Sequence, residues 1–336
     1  MGLLIRAISY HLPAQTYTND DFFVSFPGSN GNKHNLLKLG INKRHIVSKD
    51  ETASDLAVKA ALNLFSEHAI DKNEIDFILF CAQEFDHYTP TTACIIQHKL
   101  GLSNNCGALD FNLGCSGFVY GLGVAKGIIE SLGCKNVLLL TSSTLTKTFH
   151  PQDKSSRFLF GDGAAATLIS SYNQSKIGNF VFGTDGSRSD KIIVKDGGAR
   201  NKISDSSFED ITDEYGNTTN NACFYMNGAS IFNFGLKTVP TLVKETLDKN
   251  NFVIDDIDLF IFHQANLFLI ETIGKKIGIP NEKIFNFMES IGNTVSSTIP
   301  IALAEAIKIK KAKPGDKILI CGFGTGLSWG ATIIEL

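Results

Sequence analysis

No C-x-x-C pair occurs in this chain, and its seven cysteines, Cys81, Cys94, Cys106, Cys115, Cys134, Cys223 and Cys321, are odd in number and scattered. That excludes a disulfide framework and a zinc ligand set, predicts no metal site, and fits a reducing compartment. Excess positive charge is missing as well. With 31 Lys and Arg against 34 Asp and Glu, the net charge is −3, so there is no basic footprint for nucleic acid or an anionic membrane. No apolar run approaches the ~20 residues of a membrane span. The start, Gly2-Leu3-Leu4-Ile5-Arg6-Ala7-Ile8-Ser9, is interrupted by Arg6 too soon for a signal-peptide core, and Arg6 also spoils the Met-Gly-x-x-x-Ser/Thr myristoylation pattern. A soluble cytoplasmic protein with no nucleic-acid or membrane partner is the expectation. What the chain does have is 336 residues with 43% hydrophobic and 19% charged content, ample for a large buried core.

Apolar runs of strand length alternate with helix-period segments: Phe77 to Phe80, Thr92 to Leu100, Ala108 to Phe111, Gly117 to Ile129, Val137 to Leu140. That order predicts βαβ units and a covered, mostly parallel sheet, an α/β fold. The second half then repeats the first. Ile75-Asp76-Phe77-Ile78-Leu79-Phe80 returns as Ile257-Asp258-Leu259-Phe260-Ile261-Phe262, and each is followed by a helical stretch ending in a Leu-Gly-Leu or Ile-Gly-Ile turn, at 100–102 and 277–279. Buried strands follow at Val137 to Leu140 and Ile318 to Ile320. Both halves close on Gly-Ala strands, Asp162 to Ile169 and Trp329 to Ile334. Four echoes in one order predict an internal duplication, with halves at 1–173 and 174–336 joined by the polar run Ser170 to Ser175. The stretch 201–221, rich in Ser, Asp, Asn and Thr, reads as a long surface loop.

Chemistry-bearing residues fall at the ends of these strands. Asn112-Leu113-Gly114-Cys115-Ser116-Gly117-Phe118 sets a cysteine between glycines, after a strand and at a helix start, in the manner of a nucleophile elbow. A helix N-terminus lowers a thiol's pKa, although a lone Gly-Cys-x-Gly is more often structural. His263, in Phe262-His263-Gln264-Ala265-Asn266, emerges at the carboxyl end of an apolar strand, where open α/β sheets place ligands; a satisfied core histidine is the plain alternative. Ser290-Ile291-Gly292-Asn293-Thr294 precedes a helix expected from Ile299 to Ile309. In the duplication Gly292-Asn293 takes the place of Gly114-Cys115, whereas without it Asn293 reads as an N-cap. Gly322-Phe323-Gly324-Thr325-Gly326-Leu327-Ser328-Trp329-Gly330 offers backbone N–H groups to an oxyanion. It is no phosphate loop, because it lacks the Lys-Ser/Thr ending and leads into a strand.

Five motifs in order, Gly-Cys-Ser-Gly-Phe, Phe-Gly-Asp-Gly-Ala-Ala, His-Gln-Ala-Asn, Gly-Asn-Thr and Gly-Phe-Gly-x-Gly-x-Ser-Trp-Gly, spread over residues 112–330, resemble the β-ketoacyl-acyl-carrier-protein synthase III family. The resemblance implies a thiolase-like fold whose two duplicated halves pack in five layers, αβαβα, and a homodimer. It implies a decarboxylative Claisen condensation of an acyl-thioester starter with a malonyl thioester, acyl carrier protein and acyl-CoA being the partners. Cys115 would carry the acyl group, His263 and Asn293 would stabilise the enolate, and the N–H groups of Cys115 and Thr325 would hold the oxyanion. Phe160, Gly324 and Gly326 would line the acyl pocket; Gly228, Phe232 and Asn266 would line the pantetheine tunnel. No permanently bound cofactor is implied, CoA or phosphopantetheine thioesters serving as substrates. By composition alone, Phe160 and Phe232 are equally readable as core aromatics.

Departures from the family pattern concern the donor. His34 stands where a tryptophan covers the CoA adenine, Lys38 and Lys154 stand where arginines do, and Phe268 replaces an arginine used in carrier-protein docking. Thr89 replaces the bulky residue that a partner subunit inserts into the acyl pocket, which predicts a starter other than acetyl-CoA. Rival readings keep the fold: an acyltransferase passing the Cys115 acyl group to an amine or hydroxyl, a non-decarboxylating synthase with Glu84 as acid, a cysteine hydrolase, or a non-catalytic partner subunit.

Overall fold

The computed structural model describes residues 2–27 and 33–336, and in it each strand-length apolar run named above lies in one of two sheets. The first sheet has the order Gly2–His11, Gly163–Tyr172, Asn136–Ser143, Phe77–Cys81, Gly107–Phe111. Gly163–Tyr172 runs antiparallel to both neighbours, while the remaining adjacent pairs are parallel. The second sheet has the order Val181–Thr184, Ser328–Glu335, Lys317–Gly324, Leu259–Phe262. Here Ser328–Glu335 is the strand antiparallel to both neighbours, and Lys317–Gly324 pairs in parallel with Leu259–Phe262. A fifth position is begun beyond it: Ile284 makes a parallel bridge to Phe260, and Phe285 N–H donates to Phe260 O at 3.0 Å. The two sheets thus share one strand order and polarity, the arrangement an internal duplication predicts.

Side-chain alternation along each strand divides the sheets' apolar residues between layers. One face of the first sheet, with Ile78, Phe80, Leu138, Leu140 and Ala166, packs on Leu56, Ala57, Ala60, Ala61 and Leu64 of the helix Ala53–Glu67. Those positions recur at helical spacing, and the helix is started by a capping box between Thr52 and Asp55. The other face, with Leu79, Val137 and Leu139, meets the helices Gly117–Leu132 and Thr298–Lys308, which lie against Leu259, Ile261, Ile318 and Ile320 of the second sheet. The far side of that sheet, with Phe260, Phe262, Leu319 and Phe323, is covered by Gly228–Asn250 and Leu267–Ile277. The result is the five-layered αβαβα arrangement. Its middle layer holds the helices Gly117–Leu132 and Thr298–Lys308 between the two sheets.

Turn chemistry ends the helices as the sequence indicates. Gly101 and Gly278, at the two x-Gly-x turns, take φ of +61° and +87° as left-handed C-caps. The polar stretch 201–221 is more ordered than a plain loop. It holds a 3₁₀ turn at Asp205–Phe208 and a small hairpin, Ile211–Thr212 with Thr218–Thr219. Asp213 Oδ1 closes that hairpin by accepting the N–H groups of Tyr215 and Asn217 at 2.9 and 2.8 Å. Among the described residues no helix is long and apolar enough to cross a membrane.

Candidate active site

Cys115 lies in the turn between the strand Gly107–Phe111 and the helix Gly117–Leu132, one residue ahead of the N-cap Ser116. The strand Lys317–Gly324 ends directly against it. A Cβ on Gly324 would stand 2.6 Å from Cys115 Sγ, and one on Gly322 would stand 2.9 Å from the Cys115 carbonyl oxygen. Glycine at both positions is therefore what lets the second half touch Cys115 of the first. Ser116 Oγ and Ser328 Oγ, 2.7 Å apart, tie the two loops together. Burial pushes the Cys115 thiol up to about 11, opposed by the N–H groups of Thr325 and Cys115 and by the Thr325 hydroxyl. The helix terminus therefore does not lower the thiol pKa as expected: its ~0.3–1 kcal/mol is outweighed by the cost of desolvating a thiolate. The thiol rests protonated, with two backbone donors already beside the sulfur.

His263 directly follows the strand Leu259–Phe262, and its N–H donates to Cys321 O at 2.7 Å. Its ring meets that of Phe323 edge-on, centroids 5.9 Å apart at 87°, and Nδ1 lies 2.7 Å from Thr298 Oγ1. Burial lowers its pKa to about 3, opposed by the Val295 carbonyl, so the imidazole is neutral. Asn293 follows Gly292, whose φ is +73°. Its backbone is held beside the segment carrying Phe160: Asn293 N–H donates to Leu159 O and Gly161 N–H to Asn293 O, both at 3.0 Å. Asn293 is not an N-cap. A 3₁₀ turn, Val295–Ser297, separates it from the helix, which begins at Thr298 and not at Ile299. Its Oδ1 accepts Val295 N–H at 2.9 Å, which leaves Nδ2 as its unengaged donor.

Cys115, His263, Asn293, Gly324 and Thr325 all face one largely apolar cavity of about 320 Å³. Leu145, Phe160, Ile192 and Phe224 form part of its wall, and Phe149, Phe160 and Phe224 pack there as three rings with centroids 5.5–5.7 Å apart. Gly228, Phe232, Asn266 and Phe268 line it too, Phe232 and Phe268 being stacked at 5.5 Å and 10°. Asn266 also caps the helix Leu267–Ile277, its Oδ1 accepting Leu269 N–H at 2.8 Å. Lys38 is exposed, between the cavity residues Leu36 and Leu39. Lys154 lies in an adjoining surface hollow that also shares Ser155, Phe224 and Gly228. Gly326 does not line the cavity. Ser328 Oγ donates to Thr325 O at 2.7 Å and closes the loop, with Gly326 at φ +135° on the turn. Thr89 is exposed and does not line this chain's cavity.

Gln83, Ser155 and Thr298 escaped the sequence reading. Gln83 lines the cavity, its Oε1 so near Gly114 that a Cβ there would stand 2.8 Å away. The available signal was its place just past the buried strand Phe77–Cys81, the same logic that picks out His263. Thr298, beside the imidazole, carried no signal beyond lying at a helix start. Glu84, the alternative acid, does not line the cavity. Its Oε2 accepts Thr144 N–H at 3.1 Å, and burial, with Asp162 nearby, raises its pKa to about 7.

That carboxyl gives a stability prediction. Its folded pKa lies above the ~4.3 of an unfolded chain, so its contribution is fully present at low pH and is lost as pH rises through about 7. Glu84→Gln keeps an acceptor for Thr144 and removes the charge. The variant should gain on the order of 1–2 kcal/mol over the unsubstituted protein by pH 8, and little at pH 5. Thermal melts across that range check it, and a pH-independent difference contradicts it.

Comparison with known proteins agrees with this geometry. A family model described as 3-oxoacyl-[acyl-carrier-protein (ACP)] synthase III matches residues 109–186, and one for its C-terminal part matches 247–336. The beta-ketoacyl-[acyl-carrier-protein] synthase III of Clostridium perfringens is 38% identical over 302 residues, covering 89% of each chain. The chain belongs to the synthase III family. A crystal structure of a 3-oxoacyl-(acyl-carrier-protein) synthase III superposes on it with a TM-score of 0.97 at 42% identity, over the whole of both chains. A 3-oxoacyl-(acyl-carrier protein) synthase from Burkholderia xenovorans does so at 0.91 and 32%, covering all of this chain and 94% of that one. The fold is accordingly thiolase-like, and this synthase III family member is a condensing enzyme.

Proposed function

We propose that this enzyme joins an acyl-thioester starter to a malonyl thioester with loss of carbon dioxide, through an acyl group carried on Cys115. The observation that carries the reading is the convergence of Cys115, His263, Asn293 and Thr325 on one apolar cavity. Cys115 Sγ attacks the starter's carbonyl, the N–H groups of Cys115 and Thr325 hold the tetrahedral oxyanion, and its collapse breaks the starter's C–S bond, the CoA or phosphopantetheine thiolate leaving with the proton that the Cys115 thiol gives up. The malonyl thioester then enters. As its C–CO₂ bond breaks, the electron pair passes into an enolate whose oxygen His263 and Asn293 hold by hydrogen bonds. The enolate carbon attacks the acyl carbonyl, and the Cys115 thiolate leaves and regains a proton. Two neutral donors suit this step, since a charged imidazolium would be costly in so buried a place.

In the same reading the halves 1–173 and 174–336 supply the nucleophile and the enolate-binding pair respectively. Gly228, Phe232 and Asn266 seat the pantetheine arm; Lys38 and Lys154, near the cavity, take the CoA phosphates or an acidic carrier protein in the cytoplasm. The chain acts as a homodimer. Among the described residues Gly107–Phe111 is an edge strand bonded on one side alone, with Leu109 45% exposed, and a second copy would cover it. Thr89 from that copy would then reach the acyl pocket, where its small side chain leaves room for a starter larger than acetyl.

Assay with a panel of acyl-CoAs and malonyl carrier protein tests this. The expected products are carbon dioxide and a 3-oxoacyl carrier protein, with acetyl-CoA a poorer starter than longer or branched ones. Acetyl-CoA as the best starter would refute the pocket argument. Acyl transfer to an amine or hydroxyl without carbon dioxide would establish the acyltransferase alternative instead.

A further inference from the structure

We propose that Gln83 seats the carboxylate of the malonyl thioester, its side-chain amide donating a hydrogen bond to that group until it leaves as carbon dioxide. The inference rests on the condensing reading of the site given above. That reading brings an anion into a cavity whose wall, among the described residues, holds no lysine or arginine. A carboxylate without a partner is strongly disfavoured in apolar surroundings, and a donor on the wall offsets that cost.

Most polar side chains on the wall are already engaged. His263 and Asn293 face the thioester oxygen in the reaction above, and the Thr325 hydroxyl lies beside the Cys115 sulfur. Ser155 Oγ donates to Asp153 Oδ1 at 2.8 Å, and Asn266 belongs to the seat of the pantetheine arm. Gln83 remains. Its amide has no hydrogen-bond partner among the described residues and two N–H groups to give. It is also close to the reacting atoms: a Cβ on Gly114, the residue before the nucleophile, would stand 2.8 Å from Gln83 Oε1 and 3.1 Å from Thr325 Oγ1. The carboxylate is borne by the carbon that attacks the acyl group on Cys115, so its seat has to lie within side-chain reach of Cys115, as this amide does.

A neutral donor suits the step better than a cation. As the C–CO₂ bond breaks, its electron pair passes to the enolate, carbon dioxide leaves uncharged, and no proton moves at Gln83. A lysine or arginine would grip the ionised carboxylate hardest before the bond breaks, and binding that is lost in the transition state slows the reaction. An amide orients the carboxylate with less of that penalty.

Two inert probes test this by calorimetry: phosphopantetheine amides in which nitrogen replaces the thioester sulfur, one carrying a malonyl and one an acetyl group. The unsubstituted protein should bind the malonyl amide about 10–100-fold more tightly, the scale of a hydrogen bond to a charged group. Gln83→Met, of similar length and without a donor, should bind the two alike. Its KM for the malonyl substrate should rise by a similar factor, while acylation of Cys115 changes far less. Equal affinities in the unsubstituted protein, or a preference retained in Gln83→Met, would overturn the proposal. Equal weakening of both probes would mean that the amide acts by packing, and would overturn it too. Should Gln83→Met fail to fold, Gln83→Ala, which only enlarges an open cavity, carries the same expectation. A carboxylate preference in an enzyme that releases no carbon dioxide from a malonyl thioester would support the seat and sink the condensing reading; condensation without that preference would sink the seat alone.

Discussion

Alanine at position 115 should leave the protein unable to take up an acyl group and should lower condensation by at least about 10⁴-fold, the scale on which removing a covalent nucleophile falls. The substitution deletes one sulfur from the wall of a cavity that is already open, so folding should be little affected. Decarboxylation of the malonyl thioester should persist in this variant, because His263 and Asn293 are untouched and the departing carboxylate needs no acyl partner. Following carbon dioxide release and product formation in the same reaction separates the two activities. Joint loss of both would mean that Cys115 is needed to build the site, contrary to its assignment as nucleophile. Retained condensation would end that assignment altogether.

His263→Ala and Asn293→Ala should show the reverse pattern. Each removes one neutral donor from the enolate oxygen, and losing one such donor typically costs about 10²–10³ in rate. Decarboxylation and condensation should fall together by that amount, while acylation of Cys115 changes far less, since in the proposed mechanism its oxyanion is held by the N–H groups of Cys115 and Thr325. The double variant should lose less than the product of the single losses, because both donors serve one oxygen. Pre-steady-state acylation, measured apart from turnover, checks this. Equal loss of acylation in either variant would make that residue part of the first half-reaction.

Much of this arrangement was legible in the chain. The repeated apolar strands and the x-Gly-x turns at 101 and 278 predicted two like sheets, and the sheets have one strand order. Cys115 in its glycine turn and His263 past its strand were each readable from local pattern. Asn293 was not: local pattern alone made it an N-cap, and its pairing with Cys115 came from the duplication. Other features depend on distances that no local pattern encodes. The 3₁₀ turn before Thr298, the left-handed Val295 and the place of Gln83 beside Gly114 arise only when the two halves meet. The thiol pKa was misjudged for the same reason. A helix start is visible in sequence, whereas the burial that outweighs it is a property of the assembled core. Gly326 was assigned to the pocket with its neighbours Gly324 and Thr325, yet the loop closes on Ser328 and leaves it on the turn.

The most direct test of the central claim, that one cavity gathers thiol, imidazole and carboxamide for condensation, is intact-mass measurement through a single turnover. On mixing with an acyl-CoA, the protein should gain the mass of one acyl group, located by peptide mapping at Cys115. On adding malonyl carrier protein, that mass should vanish as equal amounts of carbon dioxide and 3-oxoacyl carrier protein form. No mass gain at Cys115, or its loss as free acid with no carbon–carbon bond made, would contradict the account.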